Sequence, residues 1–328
     1  MLKAGLTRRT MLATAAGAAV VARARPARAA PTKISFLTSW FAEAEHGGFY
    51  QAKATGLYEK AGLDVDIRMG GPQVNGMQLL TGGAADMMIG YDIQVLKSIE
   101  NGLPVTTVAA AFQFDLQGVM THTDIPDIGA LKGHKILISA SSHVTFWPWL
   151  KQRYGFTDDM AGVDTFNLQP FLVDKSLAMQ GYITSEPFEA QKIGEKVNFF
   201  LFSDAGYPPY GTTIVTTNGF IDKHPDATAA FVRASMEGWR DYLRDPAPAN
   251  KLIKIDNPKM TDDQIAFAVA KMKEMQILNK GGAAVGTMTE ARWQQTRDFM
   301  VKGGLLKADV DWHRAYTTKF VDGLNIKA

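Results

Sequence analysis

The chain's 328 residues, 46% hydrophobic and 21% charged, suit two folded domains or one large α/β domain, and exclude a disordered, collagenous or coiled-coil chain. No run of about eighteen apolar residues occurs, so the sequence offers no stable membrane span. Cysteine is absent, which excludes disulfides, thiol nucleophiles, Cys-ligated metals and a lipid-anchored N-terminal cysteine.

The first elements are those of an export signal. Thr7-Arg8-Arg9-Thr10-Met11-Leu12 precedes a mildly apolar Ala/Gly/Val stretch, and Ala27-Arg28-Ala29 is a small-x-small cleavage site. Paired arginines in this setting read as a twin-arginine signal over 1–29, addressed to the export machinery rather than anchoring the chain. A mitochondrial transit peptide is also Arg-rich and acid-poor, but the compact alanine core and the cleavage site favour export. Cleavage after Ala29 removes six bases and no acid, leaving 29 bases against 33 acids and a net charge of −4. A chain of that balance is not expected to bind nucleic acid.

From residue 32 onward strands alternate with helices. Strands are expected at 33–37, 63–69, 85–89 and 105–112, with helices at 45–56, 72–81 and 92–101 between them. This rhythm predicts a parallel sheet with helices on both faces. A crossing strand at 119–121 leads to a second series: strands at 135–139, 165–168, 182–184 and 198–202, and helices at 144–154, 171–180 and 187–193. A return strand follows at 211–217, then helices, two of them opened by the capping boxes Thr261-Asp262-Asp263-Gln264 and Thr287-Met288-Thr289-Glu290. The segments 83–91 and 181–187 occupy matching places in the two series, a weak internal repeat.

No local signature of catalysis is present. The six histidines show no tight metal spacing, and there is no nucleophile elbow, phosphate loop or dinucleotide fingerprint. No catalytic residue, cofactor or metal is therefore expected, and binding is favoured over reaction. Ligands of open α/β sheets lie beyond the carboxyl ends of the strands. Those loops carry aromatics and acids, among them Trp40, Glu43, Glu45, Tyr91, Asp92, Asp115 and Glu186, without lysine or arginine.

Trp40, then Glu45-His46-Gly47-Gly48-Phe49-Tyr50-Gln51-Ala52-Lys53 and Gly56-Leu57-Tyr58-Glu59-Lys60-Ala61-Gly62-Leu63-Asp64-Val65, resemble the substrate-binding proteins of ABC importers. Leu131-Lys132-Gly133-His134-Lys135 and Ser185-Glu186-Pro187 extend the likeness to the second series. The resemblance is to the group that includes thiamine-pyrimidine-precursor, alkanesulfonate and nitrate binders, and within it to the pyrimidine-precursor binders. It implies a periplasmic-binding-protein α/β fold: two Rossmann-like lobes, 30–120 plus 216–328 and 121–215, joined by two crossing strands of type II-like topology. It also implies a soluble, monomeric periplasmic receptor that closes on a small ligand and delivers it to ABC permease and ATPase subunits. The pyrimidine-precursor binders stack the ring on aromatics, one at the place of Trp40, with a carboxylate at the place of Glu186.

The expected ligand is a small planar nitrogen heterocycle, because unpaired buried carboxylates call for N–H donors or positive charge. A sulfonate or nitrate-type anion is the alternative. The fungal pyrimidine-precursor synthases also resemble this group, but they carry a cysteine-rich iron motif that this chain lacks. The candidate ligand-binding residues are Trp40, Glu45, His46, Tyr91, Phe112, Ser141, Ser142, His143, Trp147, Glu186 and Tyr210. Most have a plainer role available: Trp40, Tyr91, Phe112 and Trp147 as core, Glu45 as a solvated first-turn acid, Ser141 and Ser142 as caps, Glu186 as a helix-start carboxylate, Tyr210 in a stiff turn.

Overall fold

The computed structural model describes residues 30–328; the export-signal reading at 1–29 lies outside the described residues. The first half contains β1 (Thr32–Leu37), α1 (Gly47–Ala54), α2 (Leu57–Lys60), β2 (Leu63–Arg68), α3 (Gly76–Thr81), β3 (Met87–Gly90), α4 (Asp92–Glu100) and β4 (Val105–Phe112). Apolar alternation explains β2, which buries Leu63, Val65 and Ile67 and exposes Asp64, Asp66 and Arg68. β4 is buried along its whole length, as a strand covered on both faces must be.

The chain then enters β5 (Gln117–His122), β6 (Lys135–Ile138), α5 (Phe146–Tyr154), β7 (Ala161–Val163), α6 (Gln169–Val173), β8 (Leu177–Tyr182), α7 (Glu186–Lys192) and β9 (Val197–Leu201). It returns through β10 (Gly211–Thr217) and finishes in α8 (Asn218–Lys223), α9 (Pro225–Arg244), α10 (Ala247–Asp256), α11 (Asp262–Glu274) and α12 (Glu290–Lys302). Among the described residues no helix is long and apolar enough to cross a membrane.

Two five-stranded sheets result, ordered β2-β1-β3-β10-β4 and β7-β6-β8-β5-β9. Each takes its fourth strand from the chain's passage between halves. β10 runs antiparallel to β3 and β4, and β5 antiparallel to β8 and β9. The expected all-parallel sheets are thus mixed: a strand arriving from the other sheet enters from the opposite end. The sheets change over within 113–116 and 202–210. β5 therefore belongs to the second sheet and β10 to the first, and the expected boundaries at 120/121 and 215/216 shift by several residues. β3, which lies within the first repeat segment, and β8, which ends in the second, occupy the same third position in their sheets.

Several local readings change. The expected helix over 171–180 is the end of α6 followed by the first four residues of β8, because an Asp174 turn divides them: Asp174 Oδ1 accepts the Ser176 N–H at 2.9 Å and its hydroxyl at 2.6 Å. The expected strand at 165–168 is a loop, and β7 precedes it; Phe166 there has φ +55°. The helix expected from Pro72 begins at Gly76, where Asn75 accepts the Gln78 N–H. Thr261 caps α11 as expected, but α12 is capped by Thr289, which accepts the Arg292 N–H, and not by Thr287.

A close helix crossing positions the first wall of the site. α1 packs on α9, and a Cβ at Gly48 would lie 2.2 Å from the Trp239 ring, one at Gly238 2.2 Å from the Gly48 carbonyl oxygen. Only side chains without a Cβ permit this approach, which fixes the segment leading into α1.

Candidate functional site

That leading segment is a short 3₁₀ turn, Ala44–His46, preceded by Glu43 in extended conformation. The turn after β1 is braced by Thr38, whose hydroxyl donates to the Trp40 carbonyl at 2.6 Å and accepts the Gly70 N–H at 3.1 Å. Trp40 is left half-buried. Its ring meets Phe166 from the second half at 4.9 Å, tilted by 50°. Phe166 is held in its left-handed backbone conformation by Asp164, whose Oδ1 accepts the Phe166 N–H at 2.7 Å. A bulky residue at positive φ is strained, and such strain concentrates at functional sites.

The ends of the two equivalent strands also meet. The hydroxyls of Tyr91, just after β3, and Tyr182, at the end of β8, lie 2.6 Å apart. Glu186 opens α7 and turns back so that its Oε2 accepts the Tyr182 N–H at 2.6 Å. Farther out, α7 touches α11 through Phe188 and Phe267, with ring centroids 5.3 Å apart. Aromatic contacts and one hydrogen bond thus join the two halves around a cluster of acids.

Within that cluster Glu43 and Glu45 come from one half and Glu186 from the other. Burial raises the Glu43 carboxyl well above its usual range, with Glu45 and Glu186 pushing the same way. Burial also raises Glu45, partly offset by the Thr184 hydroxyl beside it. Glu186 is pushed up to about 8, chiefly by burial and against the Tyr182 N–H. His46 supplies no compensating charge, because burial lowers its imidazole to about 3. None of the groups acting on these three carboxyls is a lysine or arginine.

Three buried polar atoms in this region complete no hydrogen bond: Glu45 Oε1, His46 Nδ1 and Thr184 Oγ1. Their residues are 5%, 3% and 1% exposed. Buried polar atoms are ordinarily paired, and leaving one unpaired costs about 1–3 kcal/mol. Among the described residues no three His, Asp or Glu side chains are arranged to hold a metal ion, Glu43, Glu45 and His46 included.

Of the residues singled out by sequence, Trp40, Glu45, His46, Tyr91 and Glu186 converge here. Phe112 does not: it packs in the core edge-on to Trp239 at 4.8 Å. Trp147 is 1% exposed in the core of the second half, its Nε1–H donating to Asp158 at 3.0 Å. Tyr210 lies on the crossing segment, where its N–H donates to Asp92 at 2.9 Å and its hydroxyl accepts the Thr289 N–H at 3.0 Å. Asp92 is held up to about 7 by burial, and the Asp115 carboxyl of the other crossing segment to about 6, also by burial. Ser142 is buried and donates to Gln180 Oε1 at 2.5 Å, while Ser141 and His143 are exposed. The Ser139 hydroxyl links those of Ser141 and Ser142 in a polar group just past the end of β6.

Sequence reasoning did not select Phe166, Tyr182 or Thr184. The spacing Asp164-x-Phe166 signals a side-chain turn, whereas the repeat puts Tyr182 at the start of its strand and only the structure places it at the end of β8. The surface depression bordered by Ala54, Asp245, Ala247 and Lys251 is lined by none of the cluster residues.

Comparison with known proteins agrees with this architecture. Riboflavin-binding protein RibY of Chloroflexus aurantiacus is 25% identical over 94% of this chain and 92% of its own. A formylaminopyrimidine-binding protein of Halalkalibacterium halodurans is 25% identical over 66% and 68%. A 4-amino-5-hydroxymethyl-2-methylpyrimidine phosphate synthase of Schizosaccharomyces pombe is 23% identical over 67% and 68%. The periplasmic aliphatic sulphonate binding protein SsuA of Escherichia coli superposes with a TM-score of 0.65 at 14% identity, over 87% of this chain and 91% of its own. Residues 43–249, well over half of the chain, match the NMT1/THI5-like family, and with its paired crossing strands the chain is a member of that family with the periplasmic-binding-protein fold.

Proposed function

We propose that the protein is an exported solute-binding receptor that closes its two lobes on a small planar nitrogen heterocycle and delivers it to the permease and ATPase of an ABC importer. The observation that carries this reading is the meeting of Trp40, Phe166 and the Glu43–Glu45–Glu186 carboxyls between the two sheets. Aromatic faces suit a flat ring, and stacking adds about 0.5–1.5 kcal/mol per pair beyond area burial. Acids without cationic neighbours suit N–H donors and oppose a sulfonate or nitrate. The relatives named for riboflavin and formylaminopyrimidine are consistent with a flat nitrogen-bearing guest. The relative named as a synthase raises an enzymatic alternative. Against it stands a chain without cysteine, whereas the fungal synthases that resemble this group carry a cysteine-rich iron motif.

Isothermal titration tests the proposal. Aminopyrimidines, riboflavin, taurine and nitrate are titrated into the purified protein. Tight binding of a heterocycle, lost in Trp40→Ala, supports the reading; tight binding of the anions alone refutes it. Export by the twin-arginine route and a monomeric state belong to the same proposal. They are checked by the secretion of a signal-bearing reporter and by sedimentation.

A further inference from the structure

The convergence of acids in this cluster exceeds what hydrogen bonding to a neutral ring requires. Glu43 and Glu45 stand two residues apart on one wall, and Glu186 stands within electrostatic reach of Glu43 from the other. The side chains bearing on them are acids and the Thr184 hydroxyl, and backbone N–H groups, that of Tyr182 on Glu186 among them, act in the opposite sense. Glu43 also acts on Tyr91 and Tyr182, and Glu45 on Tyr242. Glu186 meets Glu189 and Asp164, while Asp115 bears on Tyr91 and Tyr182. His46 faces Ser39 at 3.4 Å. Burial disfavours ionising any of the three, and Glu45 and Glu186 add repulsion at Glu43.

A second observation concerns hydrogen-bonding capacity rather than charge. Glu45 Oε1, His46 Nδ1 and Thr184 Oγ1 are buried and complete no hydrogen bond, although the Thr184 hydroxyl of the second half lies beside the Glu45 carboxyl of the first. A ligand that donates hydrogen bonds would satisfy the carboxylate oxygen and the hydroxyl together.

Building on the proposed receptor function, we infer that the cleft selects a positively charged flat ligand, an amidinium or a protonated amino-heterocycle, and that its capture expels a proton from the carboxyl cluster to solvent. In the empty protein at least one of the three acids holds its proton, since the shared space disfavours a second and third negative charge. A cation supplies the missing counter-charge, the remaining O–H bond ionises, and the proton leaves to buffer. The complex then pairs a carboxylate with the ligand's N–H groups. Because the ionised form is the binding form, affinity for a permanent cation rises with pH through the range in which Glu186 titrates, up to about 8.

The test uses benzamidine, cationic throughout this range, against its neutral isostere benzamide, with 4-amino-2-methylpyrimidine as a protonatable ring. Each is titrated calorimetrically at pH 5.5, 7 and 8 in buffers of different ionisation enthalpy. We expect benzamidine to bind at least about tenfold more tightly than benzamide, as charge-assisted hydrogen bonds require. We also expect its affinity to rise from pH 5.5 to 8, and about half a proton or more to be released per ligand at pH 7. Glu45→Gln and Glu186→Gln, each checked for an unchanged circular dichroism spectrum, should both reduce that release.

Equal affinities for the charged and neutral probes, no proton release, or no binding of benzamidine would overturn the inference. If flat neutral rings bind in a Trp40-dependent manner while the cation gains nothing, the receptor reading survives and the charge selection falls. If taurine or nitrate binds and no ring does, both fall.

Discussion

Replacing Glu186 by glutamine isolates the energetic cost of the acid cluster. The amide keeps an oxygen to accept the Tyr182 N–H, now made at 2.6 Å, and removes the ionisation. Burial raises the carboxyl from the usual 4.5 to about 8, so the folded protein holds this proton more tightly than the unfolded chain. A group raised in this way lends its full stabilisation below about pH 4.5 and loses it as pH climbs through about 8. At about 1.4 kcal/mol per pH unit the gap corresponds to roughly 5 kcal/mol, and the partial exposure of Glu186 reduces the expected effect to about 2–3 kcal/mol. Urea unfolding of the ligand-free wild type and of Glu186→Gln at pH 5.0 and 8.5 measures it. The two should differ by less than about 1 kcal/mol at pH 5.0, with the variant more stable by about 2–3 kcal/mol at pH 8.5. The same offset at both values, or a variant less stable at pH 8.5, would show that Glu186 ionises in the folded protein without strain.

Trp40→Ala and Phe166→Ala should each weaken binding of a flat ligand by about ten- to a hundredfold while leaving thermal stability near wild type, since both rings are partly exposed. Calorimetry and a melting curve separate those effects, and unchanged affinity in both variants would remove the aromatic clamp. Phe267→Ala deletes the Phe188 contact that ties α11 to α7. Small-angle scattering of the ligand-free variant should report a larger radius of gyration, and an identical profile would show that this pair does not hold the halves together. Gly238→Ala drives a Cβ to 2.2 Å from the Gly48 carbonyl. It should cost at least about 2–3 kcal/mol in denaturant unfolding, and a neutral result would contradict the close packing of α1 on α9.

Much of the fold was legible because its signals are local. Alternation wrote β2 into Leu63–Arg68, the buried run wrote β4 into Val105–Phe112, and Gly102 and Gly155 marked the turns after α4 and α5. The errors fell where a side chain redirected the backbone over a few residues. Asp174 split an apparently continuous helix into α6 and β8, and Asp164 turned an apparent strand into the loop that presents Phe166. A short polar side chain that captures a neighbouring N–H competes with both periodic structures, and periodicity alone does not register it.

The candidate site divides along the same line. The chemistry of its loops, aromatic and acidic without cations, is a property of composition and of strand ends, so Trp40, Glu45, Tyr91 and Glu186 could be named in advance. Which aromatics face one another is a property of how two sheets approach. Phe112 and Trp147 sit at strand and helix ends like those of the site residues, yet Trp239 and Asp158 claim them for the interior. Tyr91 and Tyr182, 91 positions apart, meet because β3 and β8 hold the same place in two sheets that exchange a strand. Sequence alone determined the elements and the acidic character of the loops, since propensity and charge act over a few residues. Only the tertiary structure decided that Glu43, Glu45 and Glu186 share one space, because repulsion among them arises when chain-distant walls come together and exclude water.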